Sequence, residues 1–264
     1  MSRRNITAAG ITERVLPTLV IVAFVLGWEL LVRWRGIAPI YLPAPSVVAT
    51  YLVRMILDGS LALNLSVTLL RIFAGFSIAA VTGVTLGVLM GMSRIIARIA
   101  DPWIAALYPL PKIALIPLLV IWLGTGEEYK IVISAVTAFF PIVISSYSGI
   151  RQADRGLIKA AQDLGANRRQ IQMKVVVPAA IPSIFAGLHL GMGVTIILVV
   201  AAEMIGGAGH SGMGNLLIRA GQVMETEKVF ASLVVLAVVG AIVVKLQEWI
   251  DRKVAPWTTY RDEH

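Results

Sequence analysis

The sequence predicts an all-α integral membrane protein with about six transmembrane helices and both termini on the cytoplasmic side. Three observations carry this prediction. Of the 264 residues, 58% are hydrophobic and only 14% charged, with a mean hydropathy of +0.83, whereas soluble domains carry about 25% charged residues. Six apolar runs, 15–34, 67–91, 104–124, 130–150, 183–206 and 229–250, are long enough to cross the bilayer, which takes about 20 helical residues for roughly 30 Å of hydrocarbon. Finally, 15 of the 23 Lys and Arg residues fall in 1–14, 92–103, 151–178 and 245–264. Basic residues gather in cytoplasmic loops, so these four regions are read as inside.

The first run follows Ser2-Arg3-Arg4 and has the outline of a secretory or twin-arginine signal. It is longer than a usual signal core and leads into Trp28-Glu29 and Arg33-Trp34-Arg35 with no small-residue cleavage site, so a retained first span at about 15–34 is expected. The mixed segment 36–63 reads as an interfacial or external helix. In the second run Gly83, Gly87 and Gly91 recur every fourth residue. Small-residue ridges of this kind let helix backbones approach closely where lipid removes the hydrophobic incentive to associate. The fifth run carries Gly187, Gly191 and Gly193 in a similar arrangement. The third is interrupted by Pro109, Pro111 and Pro117 and contains Lys112, so a kinked span is expected, with its freed backbone groups satisfied by protein or water.

Several chemistries are excluded. The chain has no cysteine, hence no thiol chemistry, disulfide or Cys-based metal site. The net charge of +8 is accounted for by topology, and no nucleic-acid partner is expected. No Ser/His/Asp set, H-E-x-x-H motif or G-x-x-x-x-G-K-[ST] phosphate loop occurs, and with His189, His210 and His264 scattered, no metal site is expected. The run from Gly206 to Gly214 lacks the phosphate-loop lysine and reads as an external turn or re-entrant loop.

The polar stretch KAAQDLGANRRQIQMKVVVPAA, Lys159 to Ala180, divides in two. Residues 157–164 fit a short helix that Gly165 can end in a left-handed conformation. Residues 168–176 form a second helical pattern climbing to Pro178. Periodicity leaves two readings open: a docking element, or a basic amphipathic loop resting on anionic headgroups.

The spacing Lys159-Ala160-Ala161, three residues, Gly165, nine residues, Val175, one residue, Val177-Pro178 resembles the EAA loop of binding-protein-dependent ABC importer permeases. Lys159 stands where that motif has Glu, and Val175 and Val177 where it has Ile and Leu. The resemblance extends through Arg71, Gly91-Met92-Ser93-Arg94, Trp122-Leu123-Gly124-Thr125-Gly126, Phe139-Phe140-Pro141 and Ala202-Glu203-Met204. Together these are similar to the aliphatic-sulfonate, taurine and nitrate permease group over about 60–250.

The resemblance implies a single permease domain, 1–264, with the type I ABC importer permease fold, in a bacterial inner membrane. It implies a non-catalytic subunit, with ATP and magnesium bound by separate ATPase subunits, a solute-binding protein delivering the solute, and a second permease subunit, expected as a homodimer. The loop 151–178 would couple to the ATPase through Lys159, Ala160, Ala161, Asp163, Leu164, Gly165 and Pro178. The implied solute is a small anion such as a sulfonate, taurine or nitrate; a vitamin precursor is the alternative within this architecture. A secondary transporter is the competing class, although no internal repeat is visible.

Charged groups inside spans are costly and functional by default. Glu29 and Arg71 fall near span ends and are expected to snorkel to the headgroups. Lys112 and Glu203 are the candidate translocation-path residues, either meeting the solute or forming a structural pair, with Lys112 reaching the headgroups as the third reading.

Overall fold

The computed structural model describes residues 8–205 and 211–254, and among these every regular element is helical. In order they are α1 (Ala8–Arg35), α2 (Pro45–Leu57), α3 (Ser60–Met92), α4 (Arg94–Leu107), a 3-10 turn (Lys112–Leu115), α5 (Ile116–Leu123), α6 (Glu128–Arg151), α7 (Arg155–Asp163), α8 (Arg168–Ile171), a π turn (Gln172–Val176), α9 (Val177–Ile205), α10 (Met213–Gln222) and α11 (Thr226–Val254). Five helices are long and apolar enough to span a membrane, and the bent α4–α5 pair makes a sixth.

The expected kink in the third span is in fact a break. The axes before and after residues 108–111 differ by 89°. Pro109 and Pro111 lack amide donors, and a residue preceding proline is pushed out of the helical region; Pro111 itself is extended, at φ −70°, ψ 100°. The helical part also begins earlier than expected, at Arg94, where the Ser93 hydroxyl accepts from the Ile96 amide. Residues 94–103, read as part of an inner loop, are therefore helix.

The chain forms two compact units. In the smaller, built from α1, α2 and Leu217–Val235, Glu29 does not snorkel. Its carboxylate accepts from the Ser46 amide at 3.0 Å, the Ser46 hydroxyl at 2.8 Å and Arg33 Nε at 2.5 Å. It thereby satisfies an amide in the first turn of α2 that no intrahelical carbonyl can reach. The segment expected to be an interfacial or external helix is indeed helical over Pro45–Leu57.

In the larger unit α6 lies between α3 and α9, and small residues set both contacts. A Cβ added at Gly87 would lie 2.6 Å from Ser146 Cβ, and one at Gly91 only 2.3 Å from Ile150 Cγ2. On the other side, a Cβ at Gly187 would lie 2.6 Å from Ser145 Cβ. These separations are below van der Waals contact, so the glycine ridges are packing surfaces. Gly193, grouped with them by sequence, faces open space.

Candidate functional site

Three clusters in the larger unit carry the candidate chemistry. The first is the polar stretch between α6 and α9. Asp154 caps α7 by accepting from the Gly156 amide at 2.6 Å. At the far end the Ala166 amide donates to Ala161 O and the Gly165 amide to Gln162 O, at 3.0 and 2.9 Å. This paired closure requires a left-handed residue, and Gly165 supplies it at φ +81°. Asn167 and Gln170 then form a reciprocal capping box that starts α8. Pro178 has no amide to give to Lys174, and the wider π turn directly before α9 accommodates it.

The stretch has an inner and an outer face. Ile158, Ala161 and Ala166 pack against Ile150, Ile171, Val176 and Ala180, so Ala161 faces the body of the unit. Pro178 is half-buried, while Lys159, Ala160, Asp163 and Gly165 are exposed. Leu164 is 88% exposed, held by a backbone lock on either side.

The second cluster surrounds Lys112. Its ammonium donates to the carbonyls of Tyr108 and Leu107, the latter at 3.2 Å, closing the C-terminal end of α4. It also lies 4.6 Å from the centre of the Phe140 ring and 5.3 Å from that of Tyr108, distances at which a cation is attracted to an aromatic face. Phe140 is near the middle of the 24-residue α6. At 1.5 Å per residue, this puts the cation level with the middle of that span.

The third cluster overturns two expectations. Arg71 does not snorkel, and Glu203 does not pair with Lys112; the two pair with each other. Arg71 Nη1 lies 2.6 Å from Glu203 Oε1, with both side chains essentially inaccessible to solvent. Arg71 also donates through Nε and Nη2 to both oxygens of Glu127, at 2.5 and 2.6 Å, and through Nη1 to Ser211 O at 2.8 Å. Glu203 further accepts from the Thr68 hydroxyl at 2.9 Å and from the Gly214 amide at 2.8 Å. Lys130 Nζ, also buried, lies 3.4 Å from Glu127.

Two arginine–carboxylate pairs of this geometry tie α3, α6, α9 and the start of α10 together, with every charge answered. The bond from Arg71 holds the Glu127 carboxyl below its ordinary pKa. Of the glycine-rich run, residues 206–210 lie outside the described residues. Gly212 and Gly214 stand against Arg71 and Glu203, where a Cβ would lie 2.6 Å from Arg71 Nη1 and 2.8 Å from Glu203 Cβ respectively.

The sequence reading missed Glu127, Thr68 and Lys130 as partners. The available signal was charge complementarity: Arg71 and Glu203 are opposite charges placed towards the outer ends of two spans that run in opposite directions. The expected packed histidine, His189, meets Asp251 of α11 at 3.0 Å. Among the described residues, no group of three or more His, Cys, Asp or Glu side chains could hold a metal ion.

Residues 83–256 match the family of binding-protein-dependent transport system inner membrane components. The chain belongs to this family. As a permease subunit of that kind it is a non-catalytic, multi-pass integral membrane protein. The taurine transport system permease protein TauC of Escherichia coli is 33% identical over 235 residues, covering 87% of this chain and 85% of TauC. The nitrate import permease protein NrtB of Synechocystis is 29% identical, over 91% of this permease and 89% of NrtB. Among solved structures, an inward-facing form of the MetNI methionine ABC transporter matches with a TM-score of 0.60 and 26% identity, covering 72% of this permease and 94% of that chain. The all-α fold is that of the type I ABC importer permeases.

Proposed function

We propose that this permease carries a small oxyanion, of the sulfonate, taurine or nitrate class, received from a solute-binding protein and driven by two separate ATPase subunits. The observation that carries the anion reading is Lys112: a cation level with the middle of α6, where the third span breaks, with no carboxylate beside it among the described residues. A charge in that position is costly unless it has a task. Broken spans that present helix ends at the midplane are a recurrent way of building a solute site. The names of TauC and NrtB point to the same solute class. In this reading Lys112 meets the solute, while Glu203 holds the outer helix ends together through Arg71.

Coupling is assigned to the outer face of α7 and its closing turn: Lys159, Ala160, Asp163, Leu164 and Gly165, with Ala161 and Pro178 setting that face against the body. Lys159 puts a cation where related loops carry a carboxylate, so the ATPase surface opposite it is expected to offer an acidic group. We infer a homodimer, in which two such loops are drawn together as the ATPase pair closes.

The experiment is ATP-driven uptake of labelled taurine and of labelled nitrate by the reconstituted transporter. Lys112→Glu should lower uptake of whichever anion is carried by about tenfold or more, consistent with about 1.4 kcal/mol or more of lost interaction. Lys112→Arg should retain most of it. Unchanged kinetics in Lys112→Glu would return this lysine to a purely structural role at the end of α4.

A further inference from the structure

On the inner side, where α3, α4 and α6 come together, the unit contains two cavities of about 500 Å³ each, which share Met90, Tyr147 and Arg151. Arg94 and Arg98 line one; Ser148, Gln152 and Asp101 line the other. The second also reaches Ile104 and Val143, which share an apolar cluster with Phe140, the residue whose ring lies beside Lys112. We propose that these joined cavities are a binding site for an oxyanion group, held between the guanidinium groups of Arg94, Arg98 and Arg151.

The placement of charge makes the case. Arg94 and Arg98 are one turn apart on α4 and so share a face, where like charges repel. Arg151, at the end of α6, adds a third cation to the same cavity. Topology explains why arginines lie on the inner side, but not why three from two helices converge on one concavity. Among the described residues none of the three forms an ion pair, and Asp101 is the only carboxylate on the lining. Arg151 is steadied by donating to the Tyr147 hydroxyl at 3.0 Å and by lying 5.5 Å from that ring. Its remaining donors, and all those of Arg94 and Arg98, are available to an anion. The planar fork of guanidinium matches the paired oxygens of sulfonate, nitrate or phosphate.

Two sources of this chemistry reach the site: a free anionic solute leaving the translocation path, or the phosphate of an anionic lipid headgroup. Only the first rests on the anion reading of Lys112.

The chain contains no cysteine, so a single introduced thiol reports on the cavity. The assembled transporter, with its ATPase subunits, would carry Ala97→Cys on the lining; Gln152→Cys provides a second position should the first disturb α4. Reaction rates would be compared for two methanethiosulfonates of similar size, one bearing a sulfonate and one a quaternary ammonium, in phosphatidylcholine nanodiscs. The sulfonate reagent is expected to react at least tenfold faster, and Arg94→Gln with Arg98→Gln should bring the ratio close to one.

Slowing by added methanesulfonate or nitrate would identify a free-anion site. Slowing only when phosphatidylglycerol replaces part of the phosphatidylcholine would identify a headgroup site. Equal rates for both reagents, or a ratio unmoved by the arginine substitutions, would overturn the proposal. Uptake by the same proteins reconstituted into liposomes separates the two readings. No slowing by free anion or by phosphatidylglycerol, with anion uptake intact, removes only this site, and an anion-selective cavity in a transporter that carries neither taurine nor nitrate removes only the solute class.

Discussion

The outer and inner ends of the larger unit handle charge in opposite ways. At the outer end Arg71, Glu203, Glu127 and Lys130 form a compact network of two cations and two carboxylates, with Arg71, Glu203 and Lys130 buried. At the inner end Arg94, Arg98 and Arg151 are exposed, converge on a cavity and have no carboxylate answering them at ion-pair distance. Desolvated charges must be satisfied within the protein, and once satisfied they hold helices in place. Exposed charges of one sign cost little to maintain and remain free for a solute or partner. Charge inside a span is therefore a poor guide to function until its partners are known.

The strongest way to break this comparison is at Arg71. Arg71→Met leaves Glu203 buried beside an apolar group, and losing one partner of a buried pair costs about 3–5 kcal/mol. The expected result is near-complete loss of folded protein from the membrane, measured as detergent-extractable monodisperse protein. Arg71→Met combined with Glu203→Met should recover a substantial part of it. Arg94→Gln should leave abundance unchanged, since surface substitutions stay within about 0.5 kcal/mol. If Arg71→Met were as abundant as Arg94→Gln, the contrast between the two ends would collapse.

A smaller effect sharpens the contrast through pH. Because Arg71 depresses the Glu127 pKa below its ordinary 4.5, the ionised carboxylate contributes stability above that value. The contribution is lost as pH falls through the depressed folded-state pKa. Apparent melting temperature in detergent should accordingly fall below about pH 4.5, and Glu127→Gln should flatten that part of the profile. An identical profile in the variant would show that Glu127 adds nothing to the network.

Much of this was legible beforehand, for reasons that differ by element. The turn at Gly165 was readable because only a residue tolerant of positive φ fits between the end of α7 and the cap at Asn167. The glycine ridge of α3 was readable because a four-residue period in an apolar run has few other meanings. Position along a helix was less accessible. Starting the second span at residue 67 placed Arg71 near an end, whereas α3 begins at Ser60 and buries it. The face of a short helix was hidden as well: Ala160 and Ala161 are adjacent in sequence, yet only Ala161 packs inward. The same holds for partners distant in sequence, such as Arg71 with Glu127 and Glu203, which no local pattern pairs.

The central claim is that the α7 turn transmits work from separate ATPase subunits to the spans. It is tested most directly by ATP-dependent uptake into proteoliposomes, with the permease alone, with its full set of partners, and with Gly165→Val in the full set. Valine cannot comfortably take φ +81°, although no neighbouring atom stands in its way. The account predicts uptake only by the complete wild-type assembly, with the variant present at normal abundance but inactive in transport. Solute movement by the permease alone, or full uptake by Gly165→Val, would contradict it.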